Sequence, residues 1–395
     1  MKTLQLKAKK DKALCQHHPW VFSGALEPIK HQPESGEIVK LISAKGDFLA
    51  YGYYNQNSKI SVRAIEWNEE IKVNDGWWKE KIESALKRRK HLSAAKNHDS
   101  YRLIYSEADG LPGLIVDKYA DYLVIQVLTV GIEVRKQLIA ETLFDLLKPI
   151  GIYERSDATA RSLEGIKTSN GLLLGTEPPE FTTIIENDLK FVVNIADGQK
   201  SGYFLDQRTT RKRVAAYAQN LNVLDCFCYA GGFTLNAKNA GAKSVISVDS
   251  SALAIEMVRR NHQANDIPFS EEELIKGDAN TTLRRFQQEN RAFDLIILDP
   301  PKLAPSRSMV DRALRAYKDL NLQALKLLKK GGLLATFSCS GGVELSMLKQ
   351  AVAWAALDAG KEVQFIEVFG QPEDHPILAS FPESEYLKGL MCRIV

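Results

Sequence analysis

The sequence predicts an α/β chain whose C-terminal half is a doubly wound, mostly parallel sheet, preceded by a small all-β module and a mixed α+β middle. Three observations lead there. After about residue 195, short apolar runs alternate regularly with helical patterns, which requires a parallel sheet covered on both faces. Residues 1–72 read instead as short strands separated by turns. With 395 residues the chain is too long for one ordinary core. The expected domains are 1–72, 73–190 and 191–395.

In the first module, Glu37–Ile42, Phe48–Tyr54 and Ile60–Ile65 are strand candidates, with Lys45-Gly46-Asp47 as a turn. The helical signal from Trp77, with Trp78, Ile82, Ala85 and Leu86 on one face, marks its end. In the middle region Tyr122–Leu128 is a strand and Val134–Leu147 an amphipathic helix. Ile184–Val193 reads as a hairpin turning at Asn187-Asp188. In the last region the strand candidates are 222–225, 244–249, 273–277, 294–299, 333–338, 362–368 and 386–394. No helical pattern joins the last two, so the final strand pairs antiparallel, since a parallel partner needs a crossover.

Composition is that of a soluble globular protein, 45% hydrophobic and 26% charged. No apolar run approaches the ~20 residues that span a bilayer, and the lysine-rich N-terminus lacks a signal peptide's apolar core. The five cysteines are odd in number and scattered, which suits a reducing cytoplasm rather than a disulfide framework. Cys226 and Cys228 have no second pair at zinc-site spacing, so they read as small buried residues and no metal is expected. The net charge of +3 is weakly basic and does not by itself establish a nucleic-acid partner. Lysines crowd residues 1–12, and Lys87-Arg88-Arg89-Lys90 forms a second cluster. Each is either a solvated face or a nucleic-acid contact.

The segment Asn222–Leu235 carries the ligand chemistry. Val223-Leu224 is a buried strand signal, Asp225 ends it, and Tyr229-Ala230-Gly231-Gly232 leads into a helix. Strand, turn and helix N-terminus make a nucleotide-shaped site, but the glycine spacing of a dinucleotide fingerprint is missing. An acid at the strand end suits a ligand with adenosine, no phosphate, and a cationic sulfonium and amine. S-adenosylmethionine meets that description. Three further strands end in acids, Asp249, Asp278 and Asp299. In an open α/β sheet the ligand crevice lies at these carboxyl ends. Asp225 is then placed for the methionine ammonium, Asp249 for the ribose hydroxyls and Asp278 for the adenine amine. A single strand-end Asp often only caps a helix, but four in register point to a ligand. A seven-stranded sheet with one reversed strand is the methyltransferase variant of the doubly wound, Rossmann-like fold.

Asp299-Pro300-Pro301-Lys302 follows an apolar strand, and its prolines hold the backbone extended with carbonyls open to a planar substrate. Methylases of exocyclic amines usually carry an aromatic residue after the prolines, where this chain has Lys302. The next strand ends Thr336-Phe337-Ser338-Cys339-Ser340-Gly341-Gly342, which puts a thiol at the same sheet edge. C5 of a pyrimidine is too weak a nucleophile to take a methyl group unaided. Addition of a thiolate to C6 makes it one. Cys339 is the candidate nucleophile, and Asp299 the residue that holds the base. The base that removes the C5 proton is not securely named. His375, in Asp374-His375-Pro376, is a candidate, or else a turn residue in contact with RNA phosphate or with nothing.

These residues resemble one family, the class I methyltransferases with a PUA domain that make 5-methylcytosine in large-subunit ribosomal RNA. His18–Gly24 and Gly52–Asn55 resemble its RNA-binding PUA barrel, and Ser106–Leu114 its central α+β domain. Gly198–Arg208 resembles the segment leading into the cofactor site, which implies that Phe204 and Gln207 line the methionine end. Asp299–Lys302 and Phe337–Gly341 resemble the motifs for base contact and nucleophile. The resemblance implies a cytoplasmic, S-adenosylmethionine-dependent enzyme acting on RNA, with Pro300, Pro301, Lys302 and His375 toward the substrate. Two departures stand out. Tyr229-Ala230 replaces the usual glycine, and no second cysteine accompanies the prolines. The rival readings are a guanine-N7 ribosomal RNA methyltransferase and a non-enzymatic RNA-binding assembly factor. Oligomeric state is left open, a homodimer included.

Overall fold

The structure is a computed structural model that describes residues 1–156, 159–196, 198 and 202–395. Gln199, Lys200 and Ser201 of the segment leading into the expected cofactor site lie outside the described residues. The chain forms two compact units. The first is Met1–Thr182 with Asn194–Leu205 and Asp374–Ser384; the second is Thr183–Val193, Asp206–Glu373 and Glu385–Val395.

The first unit holds two five-stranded sheets. β1 (Lys2–Gln5), β2 (Trp20–Phe22), β3 (Ile38–Ile42), β4 (Phe48–Tyr54) and β5 (Ile60–Glu66) pair in the order β1-β3-β4-β5-β2. A bridge between Leu6 and Leu26 links the end of β1 to the segment after β2, curling the sheet toward closure around Leu4, Val39, Leu41, Ala50 and Val62. The second sheet has β6 (Tyr101–Tyr105), β7 (Leu114–Tyr119), β8 (Tyr122–Val127), β9 (Gly151–Ser156) and β10 (Ser169–Gly175), in the order β10-β9-β8-β7-β6. The helix expected from Trp77 begins at Asp75, because the Asn74 side chain accepts the Trp77 N–H and caps it. The helix expected over Val134–Leu147 starts only at Lys136. The Arg135 N–H closes back on the Ile132 carbonyl, a tight turn that separates a short helix, Val130–Glu133, from the long one.

The basic cluster at 87–90 is not simply a solvated face. Arg89 is 3% exposed and meets Asp109 through two hydrogen bonds of 2.6 and 2.7 Å, and Arg88 reaches the same carboxylate at 2.9 Å. Two of its four charges are therefore spent inside the unit.

The second unit begins with the hairpin β11 (Thr182–Glu186) and β12 (Leu189–Val193). Asn187 and Asp188 take φ of 53° and 66°, the two left-handed residues that a tight two-residue hairpin turn demands. Then come β13 (Asn222–Cys226), β14 (Ser244–Asp249), β15 (Leu274–Lys276), β16 (Phe293–Leu298), β17 (Leu328–Ser338), β18 (Val363–Phe369) and β19 (Lys388–Ile394). Their order is β15-β14-β13-β16-β17-β19-β18, with β19 antiparallel to both neighbours and the other strands parallel. This is the reversed-strand sheet expected from the missing crossover. Gly389 lets β19 pass under an aromatic ring, since a Cβ there would lie 2.4 Å from Phe337. One core packs Leu224, Leu298, Tyr317 and Leu348 on one face of the sheet. Another packs Val214, Phe233, Leu295 and Phe337 on the other. The order in which successive strands are added reverses between β13 and β16, and a doubly wound fold opens its ligand crevice at that point. Among the described residues no helix is long and apolar enough to cross a membrane.

Candidate functional site

Asp225 and Asp299 end the two strands that flank this reversal. Asp225 is wholly buried, and its Oδ2 accepts a 2.7 Å hydrogen bond from the Thr234 hydroxyl at the start of the following helix. Burial pushes its carboxyl up to about 7, against the Thr234 bond and helped by the charge of Asp299. Its Oδ1 has no donor. Gln207, 2% exposed, donates from Nε2 to Asp299 Oδ1 at 3.1 Å, and its own Oε1 is likewise buried without a donor. Two orphaned acceptors around Asp299 are what a ligand bringing N–H donors, such as an amino-acid ammonium, would satisfy.

The turn after β13 carries backbone strain. Phe227, Tyr229 and Gly231 all take left-handed conformations, with φ of 64°, 49° and 78°. Bulky residues rarely adopt that region, at a cost of roughly 1–3 kcal/mol each. This accounts for the departure at Tyr229, which holds a glycine conformation without being glycine. Its N–H donates to Asp249 Oδ2 at 3.0 Å, while the Ser251 N–H donates to Asp249 Oδ1 at 2.9 Å. The turn is thereby tied to the second acid, which keeps lone pairs for a further donor. Ala230 and Gly231 are buried, and the helix Gly232–Asn239 opens immediately after them. Asp278 caps the helix Ala279–Gln288 through Oδ1, which accepts from Thr281 N and Oγ1 at 2.8 and 2.9 Å. The helix-capping use foreseen for a strand-end acid is therefore real at Asp278.

The other half of the site lies at the ends of β16 and β17. Pro300 is buried, Pro301 and Lys302 are exposed, and Cys339 is half-buried with its Sγ 4.0 Å from the Pro300 carbonyl oxygen. Hydroxyls join the two loops. Tyr317, in the helix Val310–Leu327, donates to Ser338 Oγ at 2.9 Å. Ser340 Oγ accepts the Ala304 N–H at 3.1 Å, and the Ser340 N–H points to Ser338 Oγ at 3.3 Å. These groups had no signal as site residues. Ser338 and Ser340 are small residues beside a cysteine, and Tyr317 is one apolar position on an amphipathic helix.

The second unit thus brings together Gln207, Asp225, Tyr229, Ala230, Gly231, Gly232, Asp249, Asp278, Asp299, Pro300, Pro301, Lys302 and Cys339. Phe204 and His375 belong to the first unit. His375 is 2% exposed, its ring centroid 5.5 Å from that of Tyr105, and the neighbouring Asp374 carboxylate accepts the Arg102 N–H at 2.8 Å. Cys226 and Cys228 are buried, and burial pushes both thiols far above their ordinary range.

Comparison with known proteins gives the family. Residues 4–67 match the PUA-like domain family, and residues 166–390 match the S-adenosylmethionine-dependent methyltransferase family. The chain is similar to the ribosomal RNA large subunit methyltransferase I of Photobacterium profundum, at 41% identity over 98% of this chain and 97% of the relative. It is also 41% identical to the protein of that name from Aliivibrio fischeri, over 100% and 99% of the two chains. A solved methyltransferase chain from Streptococcus mutans shares the fold, with a TM-score of 0.86 at 22% identity and full coverage of both chains. Another solved methyltransferase, complexed with SAH, superposes with a TM-score of 0.87, again at 22% identity and full coverage of both. The chain therefore belongs to the S-adenosylmethionine-dependent methyltransferase family, in the PUA-containing group whose members carry the name ribosomal RNA large subunit methyltransferase I.

Proposed function

We propose that this protein forms 5-methylcytosine in large-subunit ribosomal RNA, in the cytoplasm, with Cys339 as covalent nucleophile. The observation that carries the reading is the half-buried Cys339 beside the Pro300 carbonyl, at the same sheet edge as Asp299. Relatives 41% identical along the whole chain are named for ribosomal RNA, which supports the substrate class.

S-adenosylmethionine supplies an electrophilic sulfonium methyl. Asp225 Oδ1 and Gln207 Oε1 would receive its ammonium, Asp249 its ribose hydroxyls and Asp278 its adenine amine, with Phe204 toward the methionine end. Asp299 holds the cytosine by its N3 or amino edge, and Pro300, Pro301 and Lys302 form the adjoining wall. The Cys339 thiolate bonds to C6, and the electron pair released to C5 makes that carbon nucleophilic. C5 would take the sulfonium methyl as the neutral thioether S-adenosylhomocysteine leaves, and transfer of the C5 proton to a base then returns an electron pair to the ring and expels the thiolate. In the PUA-like domain Lys9, Lys10 and Lys12 are exposed, and Phe22, 51% exposed, lies edge-on to Trp20. Lysines with an open aromatic suit RNA backbone and a stacked base.

RNA carrying 5-fluorocytosine at the target position should trap a protein–RNA adduct at Cys339, mapped by mass spectrometry, because fluorine cannot leave as the proton does. Full methyl transfer by Cys339→Ala would rule out the covalent route and favour a direct nucleophile such as guanine N7.

A further inference from the structure

One buried cation close to Cys339 has no part in the chemistry above. Lys388 opens β19 and sits directly across the ladder from Ser338, the residue before Cys339. It is 6% exposed. Among the described residues its ammonium has one hydrogen bond, a long 3.4 Å contact to the Glu385 carbonyl, and no carboxylate within ion-pair distance. Lysines are almost never buried this deeply without an anionic partner, because the desolvated charge is costly.

Among the described residues, four titratable groups bear on Lys388 or Cys339. Glu385 lies in the segment entering β19, and Glu344 immediately precedes the helix Leu345–Asp358 at the end of the Cys339 loop. Tyr317, bonded to Ser338, and Asp299 are the other titratable groups that feel the thiol. Burial pulls the Lys388 ammonium down, while the charges of Glu385, Glu344 and Cys339 push it back up. An anion at Cys339 would supply the partner that Lys388 lacks.

We infer that Lys388 is a positioning residue that acts through Cys339, stabilising its thiolate by charge so that the nucleophile is formed near neutral pH. The inference rests on the nucleophile assigned to Cys339. A free thiol ionises near pH ~8.5, so only a few per cent is reactive at pH 7. A cation in a site of low dielectric lowers that value with no contact to substrate. Covalent addition consumes the thiolate charge, so the effect belongs to the resting enzyme and the first step.

The test is the pH dependence of Cys339 alkylation by iodoacetamide, read by mass spectrometry in a Cys15→Ser background, since Cys226, Cys228 and Cys392 are buried. Lys388→Met should move the alkylation midpoint up by about one pH unit and slow alkylation at pH 7 roughly tenfold. Lys388→Arg should restore most of the rate, and the pH–activity profile of Lys388→Met should shift alkaline, with turnover recovering at high pH. A purely structural role would lower turnover at every pH and leave the midpoint in place. An unchanged midpoint in a Lys388→Met protein that still binds S-adenosylmethionine by calorimetry overturns the inference. If that variant does not fold, Lys388→Gln is judged by the same midpoint. The midpoint is measured without RNA, so a shifted midpoint alongside an active Cys339→Ala would remove the nucleophile assignment and leave the ion pair standing.

Discussion

The two halves of the sheet edge are built differently. The β13–β14 half is made of buried acids and a strained turn: Asp225 has an orphaned oxygen, and two bulky residues hold left-handed conformations. The β16–β17 half is made of prolines, serines and a tyrosine whose hydroxyls are hydrogen-bonded across the two loops. The first half keeps buried acceptors open to a cationic ligand. The second is preorganised around a thiol without one. Asp299 borders both, since Gln207 on the ligand side donates to it and Pro300 follows it in the chain. The contrast shows where binding energy is stored and where geometry is held in advance.

The largest effect should come from the preorganised half. Cys339→Ala is expected to lower turnover by roughly four orders of magnitude or more, as loss of a nucleophile does elsewhere. S-adenosylmethionine binding, followed by calorimetry, should stay intact, and a loss of binding would show that the halves are not separable. Asp299→Asn should cost roughly 10²–10³-fold in turnover and also weaken cofactor binding, because it borders both halves. An effect on turnover alone would assign Asp299 to the substrate side.

Asp225 gives a prediction with a sign. Its folded pKa of about 7 lies above the ordinary 3.8, so between those values the folded state holds more protons than the unfolded state. Stability of the ligand-free protein is then greatest at low pH on this account. It falls by about 4 kcal/mol as pH rises from about 4 to about 7, and levels off above that. The cationic ligand favours the ionised form, so cofactor affinity should drop about tenfold per pH unit below 7. Asp225→Asn should flatten both slopes in thermal unfolding and calorimetry, and slopes that persist would move the titration to another group.

The smaller effects test the local geometry of each half. Tyr317→Phe removes the donor to buried Ser338 and should cost about 1 kcal/mol in denaturant unfolding, with a modest fall in turnover. Tyr229→Gly should relieve the left-handed strain and raise stability by about 1 kcal/mol. A Tyr229→Gly protein of lower stability would mean that the side chain does more packing than the strain costs.

Much of this was legible in the chain itself. The alternation after residue 195, the missing crossover before the last strand, and the Asn187-Asp188 turn are local signals of period and turn chemistry, and the structure follows each. The four strand-end acids were legible for the same reason, because a strand end is marked by the residue that stops an apolar run. Charge clusters were less legible. Lys87–Lys90 read as surface, yet Arg89 is buried, because its partner Asp109 lies across a fold that no local pattern reveals. The start of the helix at Lys136 escaped for a different, local reason, since a single backbone bond from Arg135 to Ile132 interrupts an otherwise continuous periodicity.

By itself, then, the sequence determined the fold class, the reversed strand, the acids at the sheet edge and the thiol beside them, since all follow from short-range pattern and strand order. Only the tertiary structure decided which of those groups are satisfied. Hydrogen bonding and burial are set by residues far apart in the chain. Thr234 holds one oxygen of Asp225 and nothing holds the other, Asp278 is spent partly on a cap, and Lys388 comes to lie opposite Ser338 through the register of an antiparallel ladder. That register brings a buried cation to the strand that leads into Cys339, and no spacing along the chain encodes it.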